Sequence, residues 1–105
     1  MTAMTFFTDG RFLTGFRIVG HSSDSEKDVE GKIVCAAVSS AAYMTANTAT
    51  EVLKAKADAE VSDGEMTFRI LDSVSETQGI MNGFRLHITE LAKQYPKRIK
   101  VISEV

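Results

Sequence analysis

The chain has one cysteine, one proline and two histidines among its 105 residues. A single cysteine cannot form an internal disulfide, and a free thiol suits a reducing cytosol. One cysteine and two histidines at unrelated spacings do not make a structural zinc site, so no metal is expected. No run is apolar and long enough to span a membrane. Residues 1–10 lack the basic segment and apolar core of a signal peptide, which points to the cytoplasm. Neither sign of charge dominates: a formal net charge of −2 and a pI near 5.6 give no general electrostatic reason to bind nucleic acid. Also missing are a GxSxG nucleophile elbow, a phosphate-cradling glycine loop and a dinucleotide fingerprint, so no cofactor is expected.

Hydrophobic residues make up 44% of the chain, enough for one domain over residues 1–105 with a small core whose margin would gain from oligomerisation. Asp9-Gly10 between two apolar stretches reads as a hairpin turn, pairing Phe7 with Phe12 and Ala3 with Phe16. That register leaves Phe6 and Leu13 on the opposite side and makes the hairpin apolar on both faces. Asp63-Gly64 predicts a second hairpin, pairing Val61 with Met66, Ala59 with Phe68 and Ala57 with Ile70. Residues 34–56 repeat small apolar side chains at helical spacing. Ile80, Phe84, Ile88, Leu91 and Tyr95 stripe a second helix, opened by Ser73–Glu76 or Ser75–Gln78 as a capping box and closed by Pro96. Residues 99–105 alternate as a last strand. The order β-β-α-β-β-α-β predicts a two-layer α+β sandwich with both helices on one face of a mixed sheet.

The chemistry concentrates around residues 21–39. The stretch His21-Ser22-Ser23-Asp24-Ser25-Glu26-Lys27-Asp28-Val29-Glu30-Gly31-Lys32-Ile33 is a polar loop with four acids. Its length suggests a functional lid, with Ser22, Gly31 and Lys32 among its residues, or else a segment without fixed structure. Cys35 follows it. It sits in the first turn of the Ala-rich helix, where a cysteine is favoured as thiolate, the reactive form, or else it is an ordinary small buried residue of that helix. In the reactive reading His21, at the other end of the loop, takes the thiol proton and returns it to a leaving amine. The backbone N–H groups of Cys35, Ala36 and Ala37 at a helix start would bind an oxyanion. Ser39, one turn further on, either supports the thiolate or satisfies a backbone carbonyl. The loop acids are a solvated surface, or one of them, Asp28 or Glu30, orients His21. His87 reads as structural, and Lys93, Lys97, Arg98 and Lys100 as a solvated basic face.

Gly20-His21, a polar loop, and then Ile33-Val34-Cys35-Ala36-Ala37-Val38-Ser39 opening a helix resemble the ribosomal-processing cysteine protease family Prp. Asn47 further along that helix and Gln94-Tyr95-Pro96 after the second helix match as well. The resemblance implies a cytoplasmic endopeptidase that removes an N-terminal extension from a large-subunit ribosomal protein, with Cys35 as nucleophile and His21 as base. It also implies a homodimer, with which a hairpin apolar on both faces would be compatible. The family commonly carries Asp three residues before the cysteine, where this chain has Lys32, so a third carboxylate at that position is missing. A catalytically silent module of the same fold that holds a peptide or ribosomal segment is the rival reading.

Overall fold

The computed structural model describes residues 1–104, and Val105, which the sequence pattern includes in the last strand, lies outside the described residues. The elements are β1 (Thr2–Asp9), β2 (Phe12–Val19), α1 (Val29–Asn47), β3 (Ala57–Ser62), β4 (Glu65–Ile70), α2 (Gln78–Gln94) and β5 (Ile99–Glu104), in the expected order. The strands form one mixed sheet, β3-β4-β2-β1-β5, antiparallel throughout except where β5 runs parallel to β1.

One face of the sheet presents Met4, Phe6, Leu13, Phe16, Met66, Phe68 and Ile70, all buried against Val34, Val38 and Ala42 of α1 and Met81, Phe84 and Ile88 of α2. Phe84 is the hinge of this packing: its ring centroid lies 4.6 Å from that of Phe16 and 5.9 Å from that of Phe6. Aromatic contacts at such distances add to what area burial alone contributes.

The β3–β4 hairpin pairs in the expected register, Ala57 with Ile70, Ala59 with Phe68 and Val61 with Met66. The first hairpin does not. Its loop is Gly10-Arg11, and Ala3 pairs with Val19 and Phe7 with Gly15. Thr8 pairs with Leu13 and Phe7 with Gly15, so Thr14 is an extra residue, a bulge that reverses the facing of everything before it. Leu13 and Phe16 therefore both point into the core, although alternation would put them on opposite faces. The Gln78 side chain locks the bulge: its amide accepts from the Leu13 N–H and donates to the Leu13 carbonyl, both at 2.8 Å. The face away from the core carries Ala3, Phe7, Phe12 and Val19 together with Thr5 and Arg17. On the open side Phe7 lies beneath the Arg69 guanidinium, 3.9 Å from the ring centroid.

Both helix starts differ from expectation. The first helix opens at Val29 rather than Val34, because Asp28 caps it: the carboxylate accepts the Gly31 N–H at 3.1 Å. At its far end Thr48–Val52 widens into a π turn, with the Leu53 N–H on the Thr48 carbonyl, and Val52 and Leu53 swing out to solvent instead of continuing the stripe. Neither proposed capping box opens α2. Thr77 precedes it without a side-chain cap, its hydroxyl donating back to the Ser73 and Val74 carbonyls, while Gln78 is taken by the bulge.

Candidate active site

Strand β2 ends beside the β3–β4 turn, where the Gly20 N–H donates to the Gly64 carbonyl at 2.8 Å. His21 follows at once, its own carbonyl held by the Met1 ammonium at 2.7 Å. The imidazole lies over Gly64, where a Cβ would come within 3.0 Å of Nε2. Gly64 also has φ +73°, so this position needs glycine both for the turn and for the ring above it. Asp63 is the nearest carboxylate, Oδ1 standing 3.9 Å from His21 Nε2, too far for a hydrogen bond. More than half of the imidazole is exposed.

Cys35 lies across the cleft from this turn. The cleft is lined by His21, Cys35, Ser39 and Tyr43, and its apolar surface comes from Ile18, Val38, Ala42, Val61 and Met66. The Ser22 backbone N–H donates to Cys35 Sγ at 3.1 Å. Ser22 itself is buried, its hydroxyl shared with the Thr2 hydroxyl at 2.6 Å and donating to the Arg98 carbonyl at 3.1 Å. Arg98 then returns the contact, donating from Nη1 to the Ser22 carbonyl at 2.8 Å and gripping both carboxylate oxygens of Asp28. That carboxylate also accepts the Asp24 and Gly31 N–H groups. The Arg98 hydrogen bond, helped by those two N–H donors, holds Asp28 down at about 2, well below the usual carboxylate range.

Several expectations are corrected by this geometry. With α1 starting at Val29, Cys35 is its seventh residue and lies beyond the first turn, where the dipole acts most strongly. The N–H groups of Cys35, Ala36 and Ala37 are inside the helix, where the i→i−4 ladder uses them, so they are not free oxyanion donors. Asp28 and Glu30 face Arg98, not His21, with Glu30 Oε2 at 3.5 Å from Nη2. Gly31 and Lys32 belong to the helix rather than to a lid, and Lys32 pairs with Glu26 at 2.9 Å. Ser22 is an anchor, not a mobile residue. Arg98 is not part of a solvated basic face: its side chain is only 20% exposed.

Ser39 lines the cleft, and its hydroxyl makes no hydrogen bond to a backbone carbonyl among the described residues, unlike Thr45 and Thr50 on the same helix and its extension. His87 lies elsewhere, along the groove between α1 and α2 with Ile80 and Phe84. Sequence reasoning missed Gly64, Asp63 and Arg98. Gly64 carried only a turn signal, and nothing local marks an arginine whose partners lie about seventy positions away.

A thiol and an imidazole facing one cleft, on a small α+β fold without a metal-ligating cluster among its described residues, define a candidate thiol hydrolase. The chain belongs to the cysteine protease Prp family, whose model matches residues 1–100. Among solved structures it is similar to the essential ribosomal processing protease Prp from S. aureus in complex with a substrate peptide, with TM-score 0.86 and 18% identity over 99% of this chain and 100% of that one. A second structure of that S. aureus protease, holding a covalently linked product peptide, aligns at TM-score 0.85 and 20% identity over 99% and 100%. The Streptococcus mutans protein SMU.848 aligns at TM-score 0.82 and 24% identity over 99% and 96%. At these identities the solved structures speak for the fold. No curated protein matches the chain. No helix among the described residues is long and apolar enough to cross a membrane.

Proposed function

We propose that this protein is a cytoplasmic cysteine endopeptidase that removes an N-terminal extension from a large-subunit ribosomal protein. The observation that carries this reading is the shared cleft: Cys35 on α1 and His21 at the end of β2 line it together, with the Ser22 N–H already directed at the sulfur. Membership of the Prp family and the peptides held by the S. aureus relative support a peptide as the substrate. The apolar floor of Ile18, Val38, Val61 and Met66 suits an apolar side chain next to the scissile bond. His21 accepts the thiol proton, and Cys35 Sγ attacks the carbonyl carbon of the peptide bond. The C–N bond breaks, the amine leaves with the proton from His21, and water hydrolyses the thioester. Ser39, on the cleft side of α1, supports the sulfur.

The rival reading, a silent peptide-holding module, draws on the weak hold on His21, whose nearest carboxylate is beyond hydrogen-bond distance. One experiment separates the two. A peptide carrying the ribosomal extension and its junction is incubated with the protein and with Cys35→Ala, and products are read by mass. Cleavage by the wild type and none by Cys35→Ala is the expected result. Binding without cleavage by both would establish the silent module. The homodimer that the family resemblance implies is settled by light scattering on the same sample.

A further inference from the structure

Besides its nucleophile and base, a thiol hydrolase needs a donor for the negative charge that moves from sulfur to the carbonyl oxygen. The helix does not offer one at Cys35, because its N–H groups are committed to the ladder. The donor closest to the sulfur is the Ser22 N–H, at 3.1 Å. A backbone N–H in a loop has no fixed direction of its own, so what holds the Ser22 peptide becomes a functional question.

Four contacts hold it: the Met1 ammonium donates to the His21 carbonyl, on the same peptide group as the Ser22 N–H, at 2.7 Å, and of the three made at Ser22 itself Arg98 takes part in two. The guanidinium donates to the Ser22 carbonyl at 2.8 Å, while the Arg98 carbonyl accepts the Ser22 hydroxyl at 3.1 Å. The Thr2 hydroxyl is the third contact, at 2.6 Å. The guanidinium is in turn fixed by both oxygens of Asp28, the residue that caps the helix carrying Cys35. One arginine therefore ties Ser22, through the carbonyl of the peptide that follows the donor, to the cap of the helix bearing the acceptor. A planar, five-donor fork can serve both partners at once, which a lysine ammonium on a flexible stem does poorly.

We propose that Arg98, braced by Asp28, is a positioning residue for the reaction: it fixes the Ser22 peptide so that its N–H stabilises negative charge first on Cys35 Sγ and then on the oxyanion. As the S–C bond forms, the carbonyl π pair moves onto oxygen, within reach of the same fixed N–H. When that pair returns to restore the carbonyl, the C–N bond breaks and the amine takes the proton held by His21. The low carboxyl of Asp28 is in keeping with this arrangement, since it keeps the brace charged throughout the neutral range.

The inference rests on the proposed protease reading for its catalytic half, but its structural half can be read without substrate. Cys35 is the only thiol, so alkylation by iodoacetamide reports on it alone. The quantity is the alkylation rate at pH 7 divided by the rate at pH 9.5, compared for wild type, Arg98→Ala, Arg98→Lys and Asp28→Asn. Loss of a hydrogen bond to a charged group predicts that Arg98→Ala lowers this ratio by about tenfold, with Arg98→Lys falling between. With the ribosomal peptide as substrate, kcat falls in the same order while KM stays near the wild-type value. Should Arg98→Ala fail to fold, Asp28→Asn carries the comparison, because Asn is as good a helix cap but cannot make the charged pair. A folded Arg98 or Asp28 variant with an unchanged ratio overturns the proposal. If the wild type cuts no peptide, the protease reading fails by itself, and the alkylation ratios still decide whether Arg98 positions Ser22.

Discussion

The two walls of the cleft are built in opposite ways. The Cys35 wall is a closed circuit of charge and hydrogen bonds: Asp28 caps α1, Arg98 grips Asp28 and Ser22, and Ser22 touches the sulfur. The His21 wall is open. Its imidazole is mostly exposed, rests on a glycine turn and has a carboxylate only at 3.9 Å. An ion pair at that exposure and distance is screened and contributes little. The proposed nucleophile and its proposed donor are thus set before substrate arrives, while the proposed base is held chiefly by the backbone beneath it. For a proton carrier this division is reasonable, since in the proposed reaction His21 serves the thiol first and the leaving amine afterwards.

The sharpest way to break the contrast is to disturb the closed wall without replacing a polar side chain. Gly31 faces the loop in the first turn of α1, and a Cβ there would run into Asp28 Oδ2 and lie 2.5 Å from Ser23 Cα and 2.7 Å from the Ser22 carbonyl oxygen. Two of these obstacles are backbone and the third is the carboxylate that Arg98 grips, so the loop and the brace have to move together. Alanine is otherwise the better helix former by about 1 kcal/mol, so loss from Gly31→Ala cannot be blamed on helix propensity. Displacing the Ser22 donor by an ångström predicts a fall of about 100-fold in kcat/KM, measured on the ribosomal peptide alongside a circular-dichroism melt. Full activity in Gly31→Ala would mean that the Ser22 contact is not needed.

On the open wall the same kind of substitution is expected to do less. Gly64→Ala places a Cβ 3.0 Å from His21 Nε2, but an exposed ring can swing aside where a backbone cannot. A drop of about tenfold in kcat, equivalent to 1.4 kcal/mol of barrier, is the expected outcome. The positive φ at Gly64 adds a strain of roughly 1–2 kcal/mol that has nothing to do with the imidazole. Gly10→Ala supplies the control: Gly10 also has positive φ, at +61°, in a turn where an added Cβ meets nothing within 4 Å. Both variants should melt earlier, and only Gly64→Ala should cleave more slowly. Equal activity in the two would place His21 free of the turn.

The same contrast explains what could be read in the sequence. Cys35 and His21 were legible because their motif is local, seven contiguous residues and a dipeptide. The β3–β4 register was legible because every pair obeyed period-two alternation around one turn. The first hairpin was not, because the bulge at Thr14 breaks that alternation with only the neighbouring Gly15 as a local sign, and the amide that fixes it comes from Gln78, sixty-five positions away. The helix start was misplaced for a related reason. Apolar periodicity begins at Val34, whereas the backbone begins the helix where an acid caps it, at Asp28. That error moved Cys35 to a helix end, gave it oxyanion donors it does not have and assigned two helical residues to a lid. It also hid Arg98 among surface lysines, since an ion pair between residues 28 and 98 leaves no trace in either local sequence.

The smallest effect at working pH comes from titrating the closed wall, and its direction is fixed by Asp28. Its carboxyl titrates near 2 in the folded chain against an ordinary value of 3.8. A carboxylate depressed by folding contributes stability that is fully present above the unfolded value and is lost as pH falls from there through the folded one. The Arg98–Asp28 brace is therefore constant from pH 8 down to about 4 and fades between about 4 and 2. Any change in peptide turnover between pH 5 and 8 must then come from the open wall or from the thiol, not from this pair. The check is the melting temperature of wild type minus that of Asp28→Asn, followed from pH 7 to pH 2. Other acids titrate in both proteins and largely cancel in the difference. The expected curve is flat at a positive value above pH 4 and closes towards zero below it. A difference that already shrinks between pH 7 and 5 would mean that Asp28 is not held by Arg98 in solution, and the two walls would be equally loose.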